Sequence, residues 1–235
     1  MCGRFVAAST PAELAEEFHV DAVRTEDLGA RYNVAPSLDV YTVATAADGE
    51  RRLGALPWGL IPSFADDPKI ANKMINLRSD TVLKRPAFTR LLERRRCIVP
   101  ADGFYEWQRK EPEAKGAKPV KQPFYIHAAD GGSLGFAALW DRWQPRDDAD
   151  AEPRRTVTLI TGEPNNLVAS IHNRMVVMLP RDVWDLWLDP GAPFETVRDL
   201  LVGIPDDQIA AYPVTTAVNN VRNEGPELIE PQTSD

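Results

Sequence analysis

The 235-residue sequence has few of the residues that build disulfide frameworks and metal sites. Its two cysteines, Cys2 and Cys97, lie far apart in the chain, so we expect a reducing, cytoplasmic compartment. The three histidines form no His-x-x-x-His pair, and no Cys-x-x-Cys motif occurs. We therefore expect neither a metal site nor a cofactor.

Long apolar runs are absent as well. No uninterrupted stretch approaches the roughly 20 apolar residues that a membrane span needs, and the first residues lack the basic and then apolar segments of a signal peptide. Membrane attachment is therefore not expected. Hydrophobic residues make up 43% and charged residues 26% of the chain, which is typical of a soluble globular protein able to bury a sizeable core.

An overall excess of positive charge is also missing, since the formal net charge is −8. The local distribution is different, because residues 69–96 contain nine basic residues against two acidic ones, a net charge of +7. These basic residues are Lys69, Lys73, Arg78, Lys84, Arg85, Arg90, Arg94, Arg95 and Arg96. The stretch predicts an anion-binding face, although "RRR" at 94–96 alone also suits a solvated helix end.

The patterning predicts an α+β fold with a single domain over residues 1–235. Thr10, Pro11 and Glu13 form the start signal of a helix, and segments such as "DVYTVATA", "CIVPADGFYEW" and "RTVTLIT" are typical of strands. We expect antiparallel and mixed sheets that curl into barrel-like layers flanked by short helices. Two charged segments rich in Pro and Ala, near 109–121 and 144–155, indicate surface insertions.

Cys2 raises a chemical question. Aminopeptidases remove an initiator Met before a small residue, so we expect the mature chain to begin with Cys2 and to present an amine and a thiol on adjacent carbons. Such a 1,2-aminothiol condenses with an aldehyde to give a thiazolidine ring, or it can act as an N-terminal nucleophile in amide hydrolysis. The alternative is that Cys2 is only a small buried residue at the start of a strand.

Eight segments together favour the chemical interpretation. They are "MCGRF", "RYNVAPS", "WGLIPSF", "NKMINLRSDTV", "RRCIVPADGFYEW", "FAALWDRW", "SIHNRMVVML" and "TAVNNVRNEGPELIEP". In this order and spacing the sequence closely resembles the SRAP (SOS response-associated peptidase) family. The resemblance implies covalent crosslinking to abasic sites in single-stranded DNA through the aminothiol of Cys2. An open-chain abasic sugar is an aldehyde on a polyanionic strand, which agrees with both the aminothiol and the local basic face.

The resemblance also implies a catalytic set of Cys2, Asn76, Glu106 and His172. Glu106 is expected to shuttle protons and His172 to act on sugar hydroxyls, the two reaching the sugar from different sides. Asn76 is expected to hold the sugar or the Cys2 amine by hydrogen bonds. Without the resemblance, Glu106 is simply a surface carboxylate and His172 a structural histidine.

Further positions match DNA-binding residues of the family: Arg4, Asn33, Pro36, Trp58, Phe64, Arg78 and Arg85. The three arginines are expected to hold phosphates, and Asn33 and Pro36 to shape the pocket wall. Trp58 and Phe64 are candidates for base stacking, with core packing as the alternative for Trp58. The sequence departs from the usual family pattern at Phe64, Leu77, Asn173 and Val176.

Three functional hypotheses follow. The leading one is a cytoplasmic, bacterial-type abasic site processing protein that becomes nucleoid-associated when bound to DNA and acts as a monomer, with lyase and thiol autoprotease activity as additional expectations. The second is a thiol peptidase with Cys2 as nucleophile, which self-removal of Met1 would satisfy. The third is a non-catalytic single-stranded DNA-binding module.

Overall fold

The computed structural model of the protein describes residues 2–110, 120–148 and 150–232. The predicted mixture of strands and helices is confirmed. The strands are β1 (Phe5–Ala7), β2 (Ala22–Val23), β3 (Arg31–Val34), β4 (Asp39–Thr45), β5 (Arg51–Pro57), β6 (Asn76–Arg78), β7 (Arg96–Ala101), β8 (Gly103–Lys110), β9 (Val120–Ala128), β10 (Leu134–Trp143), β11 (Arg154–Gly162), β12 (Met175–Val176), β13 (Met178–Leu179) and β14 (Ile209–Pro213). The helices are α1 (Pro11–Glu17), α2 (Ser79–Lys84), α3 (Pro86–Arg94), α4 (Asn166–Ala169), α5 (Trp184–Leu188) and α6 (Phe194–Asp199). Short 3-10 helices cover Pro68–Lys73, Arg181–Val183, Asp206–Gln208, Thr216–Asn219 and Pro226–Ile229.

The smaller sheet is antiparallel, with the strand order β14-β9-β8-β1-β3. Its short strand β1 lies between β8 and β3, and Phe5 pairs with Phe104 on one side and Val34 on the other. This pairing ties the N-terminal segment into the sheet.

The larger sheet has the order β12-β11-β10-β7-β4-β5-β2, with β13 beside β10 and β6 beside β11. It curls strongly. Trp58, the residue after β5, forms a parallel bridge with Val157 in β11, and the Gly59 amide donates to the Val157 carbonyl at 2.8 Å. Strands far apart in the sheet order therefore meet, and the predicted curled, mixed sheet is confirmed.

Aromatic side chains fill the core between the two sheets. The Phe5 ring lies 5.2 Å from Trp58 and 5.9 Å from Phe136, and Phe104 packs edge-on against Phe136 at 5.8 Å between centroids. Burying one such side chain contributes about 1.5–3 kcal/mol. A second core, with α1, α3, α5 and α6 contributing, includes Phe18 stacked on Trp184 at 4.1 Å.

Local signals account for several element boundaries. The predicted capping box of α1 is present, with the Glu13 amide donating to Thr10 and the Glu13 carboxylate accepting from the Thr10 amide. Residues 97–107, expected as one strand, form parts of β7 and β8 separated by Asp102, whose carboxylate accepts from the Ala8 and Ser9 amides. Ser79, the expected cap of α2, is instead its first residue.

The two expected insertions overlap the ends of strands. In the first, β8 continues to Lys110 and β9 begins at Val120, and positions 111–119 lie outside the described residues. In the second, described residues between 144 and 153 connect β10 to β11, whereas Arg154 and Arg155 already belong to β11. The extent of the single domain stays a prediction. In the described ranges, no helix has the length and apolar character needed to cross a membrane.

The expectation that Arg96 contributes to a basic face is wrong. Its side chain is buried, and its guanidinium donates to the Leu92 carbonyl at 2.6 Å and to the Trp187 carbonyl at 2.7 Å. These carbonyls lie near the ends of α3 and α5, where a cation is favourable. Arg96 therefore joins two helices, and the anion-binding face loses one of its nine cations.

Candidate functional site

Cys2 lies just before β1 and is completely buried. Its side chain belongs to the core between the two sheets, and its Sγ is 3.8 Å from the Arg4 carbonyl. Burial raises the pKa of the Cys2 thiol, and the negative charge of Glu106 raises it further. The thiol is therefore protonated at neutral pH, and Glu106 is close enough to influence it.

Asn76 is brought to Cys2 by the pairing of two distant strands. β6 runs parallel to β11, with Asn76 opposite Leu159. The side-chain amide of Asn76 donates to the Cys2 carbonyl oxygen at 2.7 Å. The side-chain oxygen of Asn76 is buried and accepts no hydrogen bond from the described residues. The expected proximity of Asn76 to Cys2 is present, with the Cys2 carbonyl as the acceptor.

The position of Glu106 follows from the alternation of side chains along β8. Phe104 and Glu106 point to the same side of the strand, whereas Tyr105 belongs to a separate cluster on the other side. The Glu106 side chain is only 1% exposed. Burial raises the pKa of Glu106 to about 7, although the positive charge of the chain N-terminus opposes this rise. The carboxyl can therefore both give and accept a proton near neutral pH.

His172 follows α4 and is half-buried. Its Nδ1 lies 3.0 Å from the Arg174 amide nitrogen and 3.1 Å from the Arg174 carbonyl oxygen, so the tautomer of the ring decides whether Nδ1 accepts from the amide or donates to the carbonyl. Burial lowers the pKa of His172, and the positive charges of the N-terminus and Arg174 lower it further. The neutral imidazole is thus the main form at pH 7 and can exchange a proton with a ligand in the groove.

Glu106 and His172 line one groove of about 600 Å³. Glu106 lies on the β8 side and His172 in the segment after α4, so the two groups stand on different walls. The Gln108 amide joins these walls by donating to the Ser170 carbonyl at 2.9 Å. A substrate atom in the groove is therefore accessible to two proton-transfer groups with different pKa values.

Arg4 and Asn33 form a structural connection beside Cys2. The Arg4 guanidinium donates to the Asn33 side-chain oxygen at 2.7 Å and to the Val218 carbonyl at 3.1 Å, and it lies over the Trp107 ring. Asn33 is 1% exposed, and its amide donates to the carbonyls of Asn220 and Asn223. Asn33 thus positions the wall formed by residues 216–224, whereas direct contact with DNA would require its exposure.

Pro36 and Trp58 also shape the wall. Pro36 lies in the turn from Ala35 to Leu38, in which Ser37 adopts a φ of 76° and donates its amide to the Trp58 carbonyl. Trp58 is only 1% exposed, and its Nε1 donates to the Ile75 carbonyl at 2.8 Å. A base has no access to this ring, so the structure supports core packing for Trp58 over base stacking.

The remaining DNA-binding candidates lie on the surface. Phe64 is 48% exposed and packs against Phe88, with 6.2 Å between ring centroids. Arg78 is exposed, and its guanidinium fork is paired with Asp80 at 2.8 and 2.9 Å. Arg85 is exposed between α2 and α3. Phe64 and Arg85 are therefore accessible, whereas Arg78 must exchange one anionic partner for another.

Sequence reasoning missed two basic groove residues, Arg109 and Lys121. They are cross-strand partners in β8 and β9, both are exposed, and both line the groove with Glu106. Their neighbours in the sequence are charged and aperiodic, which is typical of a surface insertion. Of the departures from the family pattern, Leu77 and Val176 are core residues, and Asn173 lines the groove.

Comparison with known proteins connects this geometry to a family. The model of the family described as SOS response associated peptidase (SRAP) matches residues 1–221. The chain belongs to the SRAP family. This membership confirms the resemblance that rested on the eight sequence segments.

Relatives of this SRAP chain cover almost its full length. It is 39% identical to the abasic site processing protein YoqW of Bacillus subtilis, over 98% of this chain and 99% of that protein. It is 31% identical to the abasic site processing protein YedK of Escherichia coli, over 98% and 100% of the two chains. A crystal structure from Bacteroides thetaiotaomicron superimposes with a TM-score of 0.83 at 22% identity, covering 99% of this chain and all of that one. That structure supports the fold alone.

Proposed function

We propose that this SRAP chain processes abasic sites in single-stranded DNA by capturing the open-chain sugar aldehyde on Cys2, once Met1 has been removed. One observation carries the proposal: Asn76 donates to the Cys2 carbonyl, and the buried Glu106 is close enough to raise the pKa of the Cys2 thiol. Relatives named abasic site processing proteins support the same substrate. One chain per lesion suffices, so we propose a monomer.

The chemistry proceeds in two steps without a redox change. The Cys2 amine attacks the aldehyde carbon, the carbonyl oxygen takes up protons, and one water leaves to give an imine. The Cys2 thiol then adds to the imine carbon, and its proton moves to the nitrogen as the thiazolidine ring closes. The overall reaction releases one water, and both steps need a group that gives and accepts protons.

Glu106 suits this task because burial raises its pKa to about 7. At neutral pH its acid form can protonate the departing oxygen, and its carboxylate can accept the thiol proton. Burial lowers the pKa of His172, so its neutral ring can exchange a proton with a sugar oxygen near pH 7. Asn76 restrains the backbone of Cys2 and so limits the orientations of its amine and thiol.

The strand itself is expected to lie along the groove that carries Arg109 and Lys121 and to reach Arg78, Arg85 and Phe64 on the surface. Guanidinium and ammonium groups bind phosphates, and an exposed aromatic ring can stack on a base. The formal net charge of −8 disfavours binding to intact duplex elsewhere on the protein.

The peptidase hypothesis fits the site less well. A thiol that attacks an amide needs a lowered pKa, usually from a neighbouring cation. Burial and Glu106 instead raise the pKa of the Cys2 thiol. An aldehyde is a stronger electrophile than an amide, so the amine can react with it first while the thiol is still protonated.

A crosslinking assay separates aldehyde capture by Cys2 from simple DNA binding. Wild type, Cys2→Ser and Cys97→Ala are mixed with abasic or undamaged single-stranded DNA and resolved on a denaturing gel. We expect adducts with abasic DNA for wild type and Cys97→Ala, since Cys97 is buried in the core. Cys2→Ser is expected to bind DNA but to give no stable adduct. Equal adduct formation by Cys2→Ser would contradict the proposal, and binding without any adduct in wild type would favour the binding-module hypothesis.

A further inference from the structure

A second groove opens at the end of the curled larger sheet. It has a volume of about 860 Å³ and lies against β4, β5, β7 and β10. Its apolar surface includes Ala44, Leu56 and the half-buried ring of Trp140. The groove is distinct from the one that carries Glu106 and His172, since the two share no lining residue. A size of this order is typical of sites that hold an organic group.

The rim of this groove is basic, with Arg24, Arg52, Arg94, Arg95 and Arg155, and none of the described residues lining it is acidic. Two of these arginines are already neutralised. Arg24 pairs with Glu50 at 3.1 Å, and Arg52 pairs with Glu50 at 2.5 Å and also with Asp48.

The other three rim arginines are different. Over the described ranges, no ion pair joins Arg94, Arg95 or Arg155 to a carboxylate. The Arg95 guanidinium instead lies 4.2 Å from the centroid of the Trp140 ring. Such an arrangement holds a cation in place and leaves its charge available to a ligand. On a protein with a net charge of −8, these unneutralised arginines favour an anionic partner.

A neighbouring cleft extends this surface towards Phe64. The cleft has a volume of about 610 Å³, shares Arg94 and Arg95 with the groove, and adds Arg90 and Arg142. Its acidic residue, Asp141, is buried and accepts hydrogen bonds from the Ser63 amide at 2.7 Å and the Arg142 amide at 2.8 Å. The internal donors satisfy that carboxylate, so the cleft continues the basic surface.

Helix α3 connects this surface to the proposed lesion site. Arg85 precedes the helix, and Arg90 and Arg94 are four residues apart on one of its faces. Nine helical residues span about 14 Å, which corresponds to roughly four nucleotides of a stacked strand. The exposed ring of Phe64 packs on Phe88 of the same helix.

We propose that the strand flanking the lesion runs along α3 and ends in this groove, with phosphates on Arg94 and Arg155 and a base against Leu56 and Trp140. A simple anion would use the arginines but not the apolar surface, whereas a nucleotide uses both. The inference rests on the proposed function for the position of the lesion. It adds a binding surface beyond the residues that surround Cys2.

The test compares three oligonucleotides that each carry one abasic site. The first has only short flanks, and each of the other two has about eight nucleotides added on one side of the site, on opposite sides in the two cases. Non-covalent affinity is measured by fluorescence anisotropy in a Cys2→Ser background, over a series of salt concentrations. We expect one long flank to bind more tightly than the short one. The double variant Arg94→Ala/Arg155→Ala should lose this gain, and its slope of log affinity against log salt should fall by about 1.4 for two lost phosphates.

Two further variants test whether the flank gain depends on the unneutralised arginines in particular. Arg24→Ala, which removes a neutralised arginine of the same rim, should keep the flank gain. Arg155→Glu should reduce the gain further than Arg155→Ala, and its melting temperature reports whether it folds. A folded double variant with an undiminished flank gain would overturn this inference. Crosslinking to the short oligonucleotide by a chain with Cys2 intact tests the proposed function separately, because these arginines do not touch that oligonucleotide.

Discussion

The Asn76 side-chain amide donates to the Cys2 carbonyl oxygen at 2.7 Å, although Asn76 lies in the larger sheet and Cys2 precedes a strand of the smaller one. Asn76 is on β6, which pairs with β11 of the larger sheet, and Cys2 leads into β1 of the smaller one. The hydrogen bond fixes the N-terminal segment against the larger sheet. Because Glu106 on β8 is close to the same cysteine, one residue from each sheet acts on Cys2.

Glu106 should control the pH dependence of crosslinking. Because burial raises its pKa to about 7, its ionised fraction increases as the pH rises through neutrality. If Glu106→Gln is folded, we expect its crosslinking rate to be lower by about a hundredfold to ten-thousandfold and to lose the inflection near pH 7. Single-turnover rates at a series of pH values measure this, with DNA affinity as the control. An unchanged rate and profile would remove Glu106 from the mechanism.

The same carboxyl should also make folding stability depend on pH. Its pKa is higher in the folded than in the unfolded chain, so its contribution is complete below about pH 4.5 and is lost as the pH rises through 7. Between about pH 4.5 and 8, the free energy of unfolding should therefore fall by up to about 3 kcal/mol more in wild type than in Glu106→Gln. Urea unfolding at the two pH values measures the difference. Equal losses in both proteins would mean that the carboxyl is not held in its neutral form.

His172 should influence release as well as formation of the adduct. Burial lowers the pKa of His172, so its neutral ring can exchange a proton with the sugar, and a group that assists a step in one direction also assists its reversal. By the same principle, we expect both His172→Gln and Glu106→Gln to slow formation and release. Pre-formed adduct is chased with excess unlabelled abasic DNA and followed on a denaturing gel. Normal release by a slow-forming His172→Gln variant would contradict a role in both directions.

Arg78 and Asp80 allow a test of the surface charges. Because Asp80 occupies the guanidinium fork, Asp80→Asn should free Arg78 for phosphate and increase affinity for single-stranded DNA. Arg78→Ala should weaken binding and reduce the slope of log affinity against log salt by about 0.7. Anisotropy titrations over a series of salt concentrations measure both variants. If Asp80→Asn binds no better than wild type, phosphate does not compete for this fork.

Substitutions of Trp58 and Phe64 should distinguish a ring that packs in the core from a ring that stacks on a base. Trp58 is buried, so Trp58→Ala should destabilise the fold by about 3–5 kcal/mol. Phe64 is exposed, so Phe64→Ala should leave stability nearly unchanged but weaken single-strand binding by about 1–3 kcal/mol. Urea unfolding and anisotropy are measured on each variant. A large stability loss in Phe64→Ala with normal DNA affinity would reverse the assignment.

The sequence predicted the elements whose signals are local. The capping box at Thr10 and Glu13 and the longer strands are confirmed, because caps and two-residue alternation depend on neighbouring residues. Short strands such as β1 and β6 have much weaker signals, and the sequence predicts a strand after Cys2 only as an alternative. They are three residues long and are held by partners far away in the chain, so their own sequence carries little pattern.

The sequence predicted which residues belong to the candidate site but not how those residues are arranged. The family motifs identified Cys2, Asn76 and Glu106, and the roles assigned to them stay predictions. The burial of Trp58, the pairing of Arg78 with Asp80 and the structural role of Arg96 depend on the tertiary fold. Composition made Arg109 and Lys121 look like an insertion, whereas the pairing of β8 with β9 places them at the groove.

The most direct test of the central claim is the intact mass of the product formed with an abasic oligonucleotide. Capture by the Cys2 aminothiol predicts a species whose mass is that of the chain without Met1 plus the oligonucleotide minus one water. The species should survive denaturation without borohydride and should be missing for Cys2→Ser and for protein whose N-terminal tag is left uncut. An adduct of the same yield in tagged protein, or one that retains Met1, would contradict the account, because acylation removes the nucleophilic lone pair of the amine.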